Sequence, residues 1–399
     1  MKPDSSKLLT INGGSSSIRF AMYTIGDIKE CIFSGKIDRI GLDNPELKVI
    51  YKDEQKSLHA NANNFQEAAD FLIEWLENQQ DFNQVKCIGH RVVYGIQHPQ
   101  PEIIDDDLLE ELKQVKEYDI DHLPAEIEMI KLFKKKYPSL LQVACFDTSF
   151  HNAMPRVAKL LPIPRRFDKA GIRKYGFHGI SYSYLMEELK NKAGKDNANE
   201  KIILAHLGSG ASLAAVKEGK SIDTSMGFTP AGGIVMGTRC GDIDPGVAWY
   251  IMQSEKMPVS QFNQLINHES GLLGVSEISS DMQDLLAKEN SDIRAAEAIG
   301  LFCYQAKKWI GSFIAVLNGL DALVFSGGIG ENAPIIRSRI CEDLQYIGIE
   351  LNEVQNKINA FQISTVNSKV GVYVIPTNEE LMIAKITAGI YNGLETINN

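Results

Sequence analysis

Apolar positions recur along this chain either in short runs typical of strands or at the 3.6-residue spacing of helices, and the two kinds of segment alternate. Short apolar runs predict strands at residues 7–12, 18–25, 140–147, 201–206, 211–217, 321–326 and 370–375. Apolar residues at helical spacing predict helices at residues 64–77, 106–117, 125–136, 181–192, 293–320 and 380–391, and the helix at 293–320 is expected to be largely buried. This succession is typical of an α/β architecture.

A strand, a turn rich in glycine and a second strand occur once in each half of the chain. In the first half the turn is residues 12–17, Asn-Gly-Gly-Ser-Ser-Ser, and in the second half it is residues 207–210, Leu-Gly-Ser-Gly. Each arrangement predicts a β-hairpin. Their recurrence indicates two related α/β halves.

Three loops rich in glycine could hold phosphate: residues 12–17, 208–212 and 327–332, each after a predicted strand. Glycine lets backbone N–H groups approach a phosphate closely, and serine adds hydroxyl donors. One such turn alone is more often a tight hairpin. Three of them favour a nucleotide, although the P-loop, dinucleotide-binding and nucleophile-elbow motifs are missing from the sequence.

Length, charge and cysteine usage narrow the class of protein. The 399 residues predict two or three domains. A net charge of −10 disfavours nucleic acid and anionic membranes as partners. The six cysteines are scattered, which argues against a zinc site or a disulfide scaffold and fits a reducing compartment. Without an apolar signal core near Met1 or a spanning segment, a cytoplasmic protein is expected.

Phosphoryl transfer needs cations around the moving group and oxygen ligands for a metal. The candidate cations are Arg91, His178 and Arg239, and the candidate carboxylates are Asp147 and Glu379. Taken singly, each has a structural alternative: a surface ion pair for an arginine, a core histidine, a helix cap for Asp147, and a helix start for Glu379. The residue types alone leave these alternatives open.

Taken together, the segments resemble the acetate kinase family, whose superfamily includes sugar kinases, actin and the heat-shock chaperone ATPases. The matching segments are residues 12–17, 90–93 (His-Arg-Val-Val), 146–151 (Phe-Asp-Thr-Ser-Phe-His), 173–179, 206–208, 223–230, 236–239, 241–245, 328–332 and 376–380. The resemblance implies an α/β fold of two duplicated actin-like ATPase (ribonuclease H-like) domains with a nucleotide cleft between them. It also implies an acid-binding domain at residues 1–150 plus 382–399 and a nucleotide-binding domain at residues 151–381.

The resemblance implies a role for each matching residue. The implied catalytic residues are Arg91, which would bind the substrate carboxylate, Arg239 and His178, which would stabilise the transferring phosphoryl group, and Asp147, which would position the arginines. The implied walls of the acyl pocket are Val93, Phe177 and Pro230. The implied nucleotide-binding residues are Ser17, Arg19, His206, Gly208, Ser209, Gly210, Asp281, Gly328, Gly330 and Asn332. The implied ligands of Mg²⁺, or of Mn²⁺ in its place, are Asn12 and Glu379.

The implied reaction is reversible, direct transfer of a phosphoryl group from ATP to acetate, which gives acetyl phosphate and ADP in a homodimeric enzyme. The sequence departs from the family at several positions: Tyr94, Ile96, Asp121, Ser209, Gln283 and Arg19. Asp121 stands where the family has a leucine of the acyl pocket, so propionate or another short-chain acid is the alternative substrate. Two other hypotheses are a weakly active regulatory relative and an actin-like or chaperone-like ATPase module that binds a macromolecule.

Overall fold

The structure is a computed structural model that describes residues 6–14, 16–52, 54–119, 121–194 and 200–398. It divides into two units, Met1–Ser149 with Asn378–Asn399, and Phe150–Thr377. The chain thus returns to the first unit at residue 378, where the sequence predicts a return at 382. Glu379 consequently belongs to the first unit.

The first unit is an α/β body whose strands and helices follow one another along the chain. Its elements are β1 (Lys7–Gly14), β2 (Ser17–Thr24), β3 (Asp27–Asp38), β4 (Glu46–Tyr51), β5 (Glu54–His59), α1 (Phe65–Glu77), β6 (Val85–Val92), β7 (Glu102–Ile103), α2 (Asp106–Gln114), α3 (Leu123–Lys136), β8 (Leu141–Phe146) and the C-terminal helix Glu379–Asn398, with 3₁₀ turns at Phe82–Gln84 and Lys116–Tyr118. Within the described residues the strands form one sheet in the order β5-β4-β3-β2-β1-β6-β8-β7.

Helices cover both faces of this sheet. Neighbouring residues of β1 point to opposite faces, so apolar residues of this strand pack against helices on each side. Leu9 packs in a cluster with side chains of α1 and α3, such as Leu72 and Phe133. Leu8 packs on the other face with Ala384 and Ala388 of the C-terminal helix. That helix lies so close to β6 that a Cβ on Gly89 would be 2.2 Å from Thr387 Oγ1. Glycine at position 89 is therefore required by the docking of the helix.

The second unit has the remaining elements. They are α4 (Arg156–Lys159), α5 (Arg165–Lys169), α6 (Gly179–Ala193), β9 (Lys201–Leu207), β10 (Ala211–Lys217), β11 (Lys220–Thr224), α7 (Pro245–Ser254), α8 (Val259–Gln264), α9 (Gly271–Ser276), α10 (Met282–Lys288), α11 (Ile293–Leu317), β12 (Ala322–Ser326), α12 (Gly327–Asn332), α13 (Pro334–Cys341), α14 (Glu353–Lys357) and β13 (Gly371–Val374), with 3₁₀ turns at Ser149–Ala153 and Gln345–Ile347 and a π turn at Leu265–Glu269. Helix α11 packs against β9 and β10, and α6 packs on the same sheet through Tyr182 and Leu185.

The strand order of the second sheet, β11-β10-β9-β12-β13, has a counterpart within the first sheet, β3-β2-β1-β6-β8. In each set two antiparallel pairings are followed by two parallel ones. The two predicted hairpins are the pairs β1–β2, joined out to Gly14 and Ser17, and β9–β10, joined out to Leu207 and Ala211. The repeated turn in the sequence thus marks the same place in two sheets of the same topology.

Two sequence predictions need correction. Helix α11 buries one stripe only, since Ile293 and Tyr304 are 70% and 67% exposed; its many apolar residues suggested a largely buried helix. Residues 327–332 form the short helix α12 where a loop was predicted. Gly327 can begin it because its φ is +75°, and a Cβ there would lie 2.6 Å from the Leu207 carbonyl oxygen.

None of the helices in the described part of the chain is both long enough and apolar enough to cross a bilayer.

Candidate functional site

Arg91 and Asp147 form a fixed ion pair at the carboxyl ends of two neighbouring strands of the first unit. Strands β6 and β8 are parallel neighbours, and Arg91 lies opposite Cys145, so Asp147 follows just beyond. Asp147 Oδ2 is 3.1 Å from Arg91 Nε and 2.5 Å from Arg91 Nη2. Arg91 Nη1 also donates to Asn12 Oδ1 over 3.2 Å. The guanidinium group is therefore held from two sides.

Electrostatics keep this pair charged. Burial alone would lower the pKa of the Arg91 guanidinium, but Asp147 and Glu379 raise it above its ordinary value. Burial raises the pKa of the Asp147 carboxyl, and Arg91 opposes that rise. Because one Asp147 oxygen accepts two hydrogen bonds from Arg91, we assign the ionised form to Asp147. Arg91 is thus a permanent, oriented cation.

Two adjacent carboxyl groups lie beside Asn12 at the start of the C-terminal helix. Asn12 Nδ2 donates to Glu379 Oε2 over 3.2 Å. Glu380 Oε1 is buried and has no hydrogen-bond partner among the described residues. Burial raises the pKa of Glu380, and the charge of Glu379 raises it further. Arg19 of β2 lies opposite Asn12 of β1 in the strand register, and Ser17 is the first residue of β2. Ser15 of the same turn lies outside the described residues.

Glu126 was not predicted as a functional residue, yet it is buried near Arg91. Only 2% of Glu126 is exposed, and its Oε2 accepts a hydrogen bond of 3.0 Å from the Val93 N–H. Burial raises its pKa well above the ordinary range for a glutamate. The signal was available in the sequence, because Glu126 lies between Leu123 and Ile130 on the apolar stripe of α3.

Replacing Glu126 by glutamine should make the stability of the protein less sensitive to pH. Above the ordinary glutamate pKa of 4.5, the folded chain keeps a proton on Glu126 that the unfolded chain loses. The wild-type free energy of unfolding therefore falls as pH rises, by up to about 1.4 kcal/mol per pH unit until the raised pKa is reached. Urea midpoints measured from about pH 5 to about pH 8 should rise for Glu126→Gln relative to wild type.

Glu128→Gln is the matched control, since Glu128 is on the same helix but forms a surface pair with Lys131. Its urea midpoint should follow that of the wild type at every pH. If the Glu126→Gln midpoints also followed the wild type, Glu126 would be ionised in the folded protein.

His178 is held by a neighbouring ring and a hydroxyl group in the second unit. It has φ +59° at the start of α6, and its Nδ1 is 2.9 Å from Ser212 Oγ. Its ring stacks on that of His206 with centroids 4.3 Å apart. A Cβ on Gly210 would be 3.3 Å from His178 Nε2. The imidazole is thus oriented, with its Nε2 edge beside the glycine turn.

Arg239 lies at the same glycine turn. A Cβ on Gly210 would be 3.5 Å from Arg239 Nη1, which donates to the Pro230 carbonyl oxygen over 3.3 Å. The Gly237 N–H donates to the Ser209 carbonyl oxygen over 3.0 Å, which joins the arginine segment to the turn. Gly210 is therefore close to both His178 and Arg239, and Ser209 is bonded to the arginine segment.

A chain of hydrogen bonds fixes the glycine-rich helix α12, residues 327–332, against β9. Ser181 Oγ is 2.8 Å from His206 Nδ1 and 2.8 Å from Thr377 Oγ1. Glu331 Oε1 then accepts from the N–H groups of Thr377 and Gly327, over 3.0 and 2.9 Å. A Cβ on Gly328 would meet nothing within 4 Å, so the first turn of α12 has an open backbone face. Gly330, in the same helix, is buried and faces β9.

The predicted residues thus form one group in each unit. The first unit brings together Asn12, Arg91, Asp147, Glu379 and Val93, and adds Glu126. The second unit brings together His178, His206, Gly208, Ser209, Gly210, Pro230 and Arg239, with Phe177 buried next to His178. Two residues do other work in the fold: Asp281 caps α10 by accepting from the Gln283 N–H, and Asn332 donates to the Gly328 carbonyl oxygen.

Comparison with known proteins gives one consistent result. The model of the acetokinase family matches residues 7–385. The acetate kinase of Clostridium kluyveri is 42% identical to this chain over 392 residues, which cover 96% of each protein, and that of Helicobacter hepaticus is 40% identical over 97% of this chain and 99% of its own. Among solved structures, Porphyromonas gingivalis acetate kinase is 34% identical, with a TM-score of 0.87 over 97% of this chain and 100% of that one. A propionate kinase from Francisella tularensis is 37% identical, with a TM-score of 0.90 over 96% and 99%.

These similarities confirm the predicted fold class. The chain has the mixed α/β, two-domain actin-like ATPase fold of the solved acetate and propionate kinases. The recurrent sheet topology of the two units is the feature of this chain that agrees with duplication.

Proposed function

Because this chain belongs to the acetokinase family, we propose that it transfers the γ-phosphoryl group of ATP to acetate, reversibly, and forms acetyl phosphate and ADP. The observation that carries this proposal is the ion pair of Arg91 and Asp147. Arg91 is a permanent cation, partly exposed, and the buried Asp147 fixes its orientation. Such a cation suits a carboxylate substrate, which an ATPase acting on a macromolecule does not need.

The roles on the acid side follow from charge and burial. Arg91 binds the carboxylate of the substrate, and Asp147 holds Arg91 in place. Val93 is the proposed wall for the acyl group in the first unit, next to Val92 and Arg91 in the chain. The family resemblance assigns the same role to Phe177 and Pro230 of the second unit. One carboxylate oxygen attacks the γ-phosphorus, and the bond from that phosphorus to the bridging oxygen of ADP breaks.

The second unit supplies the groups that stabilise phosphate. Arg239 and the oriented His178 neutralise charge on the transferring phosphoryl group, and this electrostatic help is the main catalytic contribution in such reactions. The ATP-binding residues are Ser17, Arg19, His206, Gly208, Ser209, Gly210, Gly328, Gly330 and Asn332, with Asp281 near the adenosine. The position of the glycine turn beside His178 and Arg239 supports this assignment.

The residues around Asn12 fit Mg²⁺, the metal that the family resemblance implies. No cluster of three or more His, Cys, Asp or Glu side chains able to hold a metal occurs in the described part of the chain. Mg²⁺ needs fewer, since it usually takes one or two carboxylates and completes its shell with water and substrate phosphates. Glu379 is a carboxylate beside the Asn12 amide, and the buried Glu380 Oε1 has no hydrogen-bond partner among the described residues. When bound, Mg²⁺ neutralises charge on the ATP phosphates.

Glu379→Gln should raise the Mg²⁺ concentration for half-maximal turnover about tenfold or more, because a neutral amide is a weaker ligand for a hard cation. The metal requirement would be measured by following turnover as MgCl₂ is added. Mn²⁺ binding would be followed separately by electron paramagnetic resonance. Glu395→Gln, further along the same helix, is the matched control and should titrate like the wild type. Equal Mg²⁺ requirements in both variants would remove Glu379 from the metal site.

A hydroxylamine assay tests the proposed activity itself. The protein, ATP, Mg²⁺, hydroxylamine and acetate should yield acetyl hydroxamate, and omission of acetate should abolish ADP formation. ADP release that does not depend on an acid would favour an actin-like or chaperone-like ATPase instead. Hydroxamate formed at only a trace of ordinary kinase rates (about 1–100 s⁻¹) would favour a regulatory relative.

Assembly and location are further parts of the proposal. A homodimer agrees with the adjacent aromatic side chains Trp249 and Tyr250 on α7, which are 67% and 65% exposed. Sedimentation equilibrium should give twice the chain mass of 44.3 kDa. A cytoplasmic location is based on the scattered cysteines of the sequence.

A further inference from the structure

Glu126 places a buried carboxyl group in the part of the first unit that is assigned to the acid. It is 2% exposed on the apolar stripe of α3. Its Oε2 accepts a hydrogen bond from the Val93 N–H, whereas its Oε1 is buried and has no hydrogen-bond partner among the described residues. Burying such an atom is costly unless another group forms a hydrogen bond with it.

The charged neighbours of Glu126 come from several elements. Arg91 of β6 attracts its negative charge, and Asp119 and Asp147 repel it. Asp119 Oδ1 in turn accepts from the backbone N–H and the Nδ1 of His122. With two acids nearby and little water, burial raises the pKa of Glu126 well above its ordinary value. The neutral carboxyl group then has an O–H to donate, and the ionised group could only accept.

Glu126 is joined to the acid site through a short piece of chain. Arg91, the proposed partner of the carboxylate, and Val93, the proposed wall for the acyl group, are two residues apart. The Glu126 carboxyl is bonded to the backbone of that wall residue. An acid bound to Arg91 by its carboxylate would therefore have its next carbon atoms close to a chain segment that is bonded to a buried carboxyl group.

We propose that Glu126 selects short acids with a hydroxyl group on the carbon next to the carboxylate, the class of which glycolate is the smallest member. This inference rests on the proposed function, because Arg91 must first hold the substrate carboxylate. A hydroxyl group both donates and accepts, so it can pair with Glu126 Oε1 in either protonation state. A methyl group in its place leaves the buried Oε1 without a partner.

Glycolate and propionate are a matched pair for the test, since they differ by a hydroxyl group in place of a methyl group. ADP release measured in a coupled assay gives kcat/KM for each, with acetate as the reference. For the wild type we expect a glycolate-to-propionate ratio of about ten or more, the size of one hydrogen bond. A ratio below one would overturn the inference.

Two variants ask whether Glu126 is the cause. Glu126→Gln keeps an acceptor for the Val93 N–H and a donor for the substrate, so it should keep a ratio above one. Glu126→Leu removes both and should lower the ratio about tenfold or more. If the leucine variant does not fold, the glycolate-to-propionate ratios of the wild type and the glutamine variant still test the inference, since both should exceed one. An unchanged ratio in a folded leucine variant would overturn the role of Glu126.

The acetate reference separates this inference from the proposed function. Turnover of acetate and propionate without turnover of glycolate would overturn only the hydroxy-acid inference. No ATP-dependent turnover of any acid would overturn the proposed function and this inference with it.

Discussion

Arg91→Ala should lower kcat at least about a hundredfold, the usual loss when one donor to a transition state is removed. The variant loses the cation that binds the attacking carboxylate, so KM for acetate should rise as well. It also leaves Asp147 buried without its partner, and breaking a buried ion pair costs about 3–5 kcal/mol of stability. Steady-state turnover and thermal unfolding should both be measured, because each effect alone could lower activity.

The double variant Arg91→Ala/Asp147→Asn separates the two effects. It removes the stranded charge, so it should regain much of the lost stability and stay inactive. Arg91→Lys keeps the charge without the two-bond contact to Asp147, and we expect partial activity from it. If the double variant folded and retained more than about a tenth of wild-type kcat, Arg91 would not be the acid-binding cation.

Arg239→Ala should also lower kcat about a hundredfold or more, with little change in stability. Its Nη1 donates to the Pro230 carbonyl oxygen, and the loss of one hydrogen bond to a neutral acceptor costs about 0.5–1.5 kcal/mol. Because Arg239 is assigned to the transferring phosphoryl group, the loss should fall on kcat, with KM values for ATP and acetate within a few-fold of wild type.

Arg294→Ala is the matched control for Arg239 in the same unit. Arg294 forms surface ion pairs with Asp292 and Glu277, which contribute little to stability and do not contact the glycine turn. Its turnover should equal that of the wild type. An Arg239→Ala enzyme with near-normal kcat would move the phosphoryl-stabilising role to other groups.

The sequence predicted most elements whose apolar period is clear. Helix α1 begins after Asn64, which caps it through the Glu67 N–H, and the predicted range began at that residue. Strands β9 and β12 are buried along almost their whole length, so their apolar runs stand out. The glycine turns, the arginines and His178 were picked out by residue type and position, and the resemblance to a known family then gave each of them a predicted role.

Other parts could not be predicted because they depend on tertiary contacts. Strand β5 is exposed throughout and has no apolar alternation, and pairing with β4 is what makes it a strand. The alternative for Asp147, a helix cap, could be rejected only when Arg91 was seen beside it. The position of Glu126 on the apolar stripe of α3 is visible in the sequence, but its hydrogen bond to the Val93 N–H, 33 positions away, is a tertiary contact.

The docking of the C-terminal helix on β6 has a consequence for how the chain is synthesised. Residues 378–398 complete a unit that begins with β1, whereas the second unit is contiguous, from Phe150 to Thr377. Domains usually fold in the order in which they leave the ribosome. Here the first unit cannot be completed first, because Leu8 and Gly89 can contact Ala384 and Thr387 only after the whole of the second unit has been synthesised. A nonsense mutation in the helix Glu379–Asn398 would therefore leave the first unit incomplete, although most of that unit is synthesised before the second.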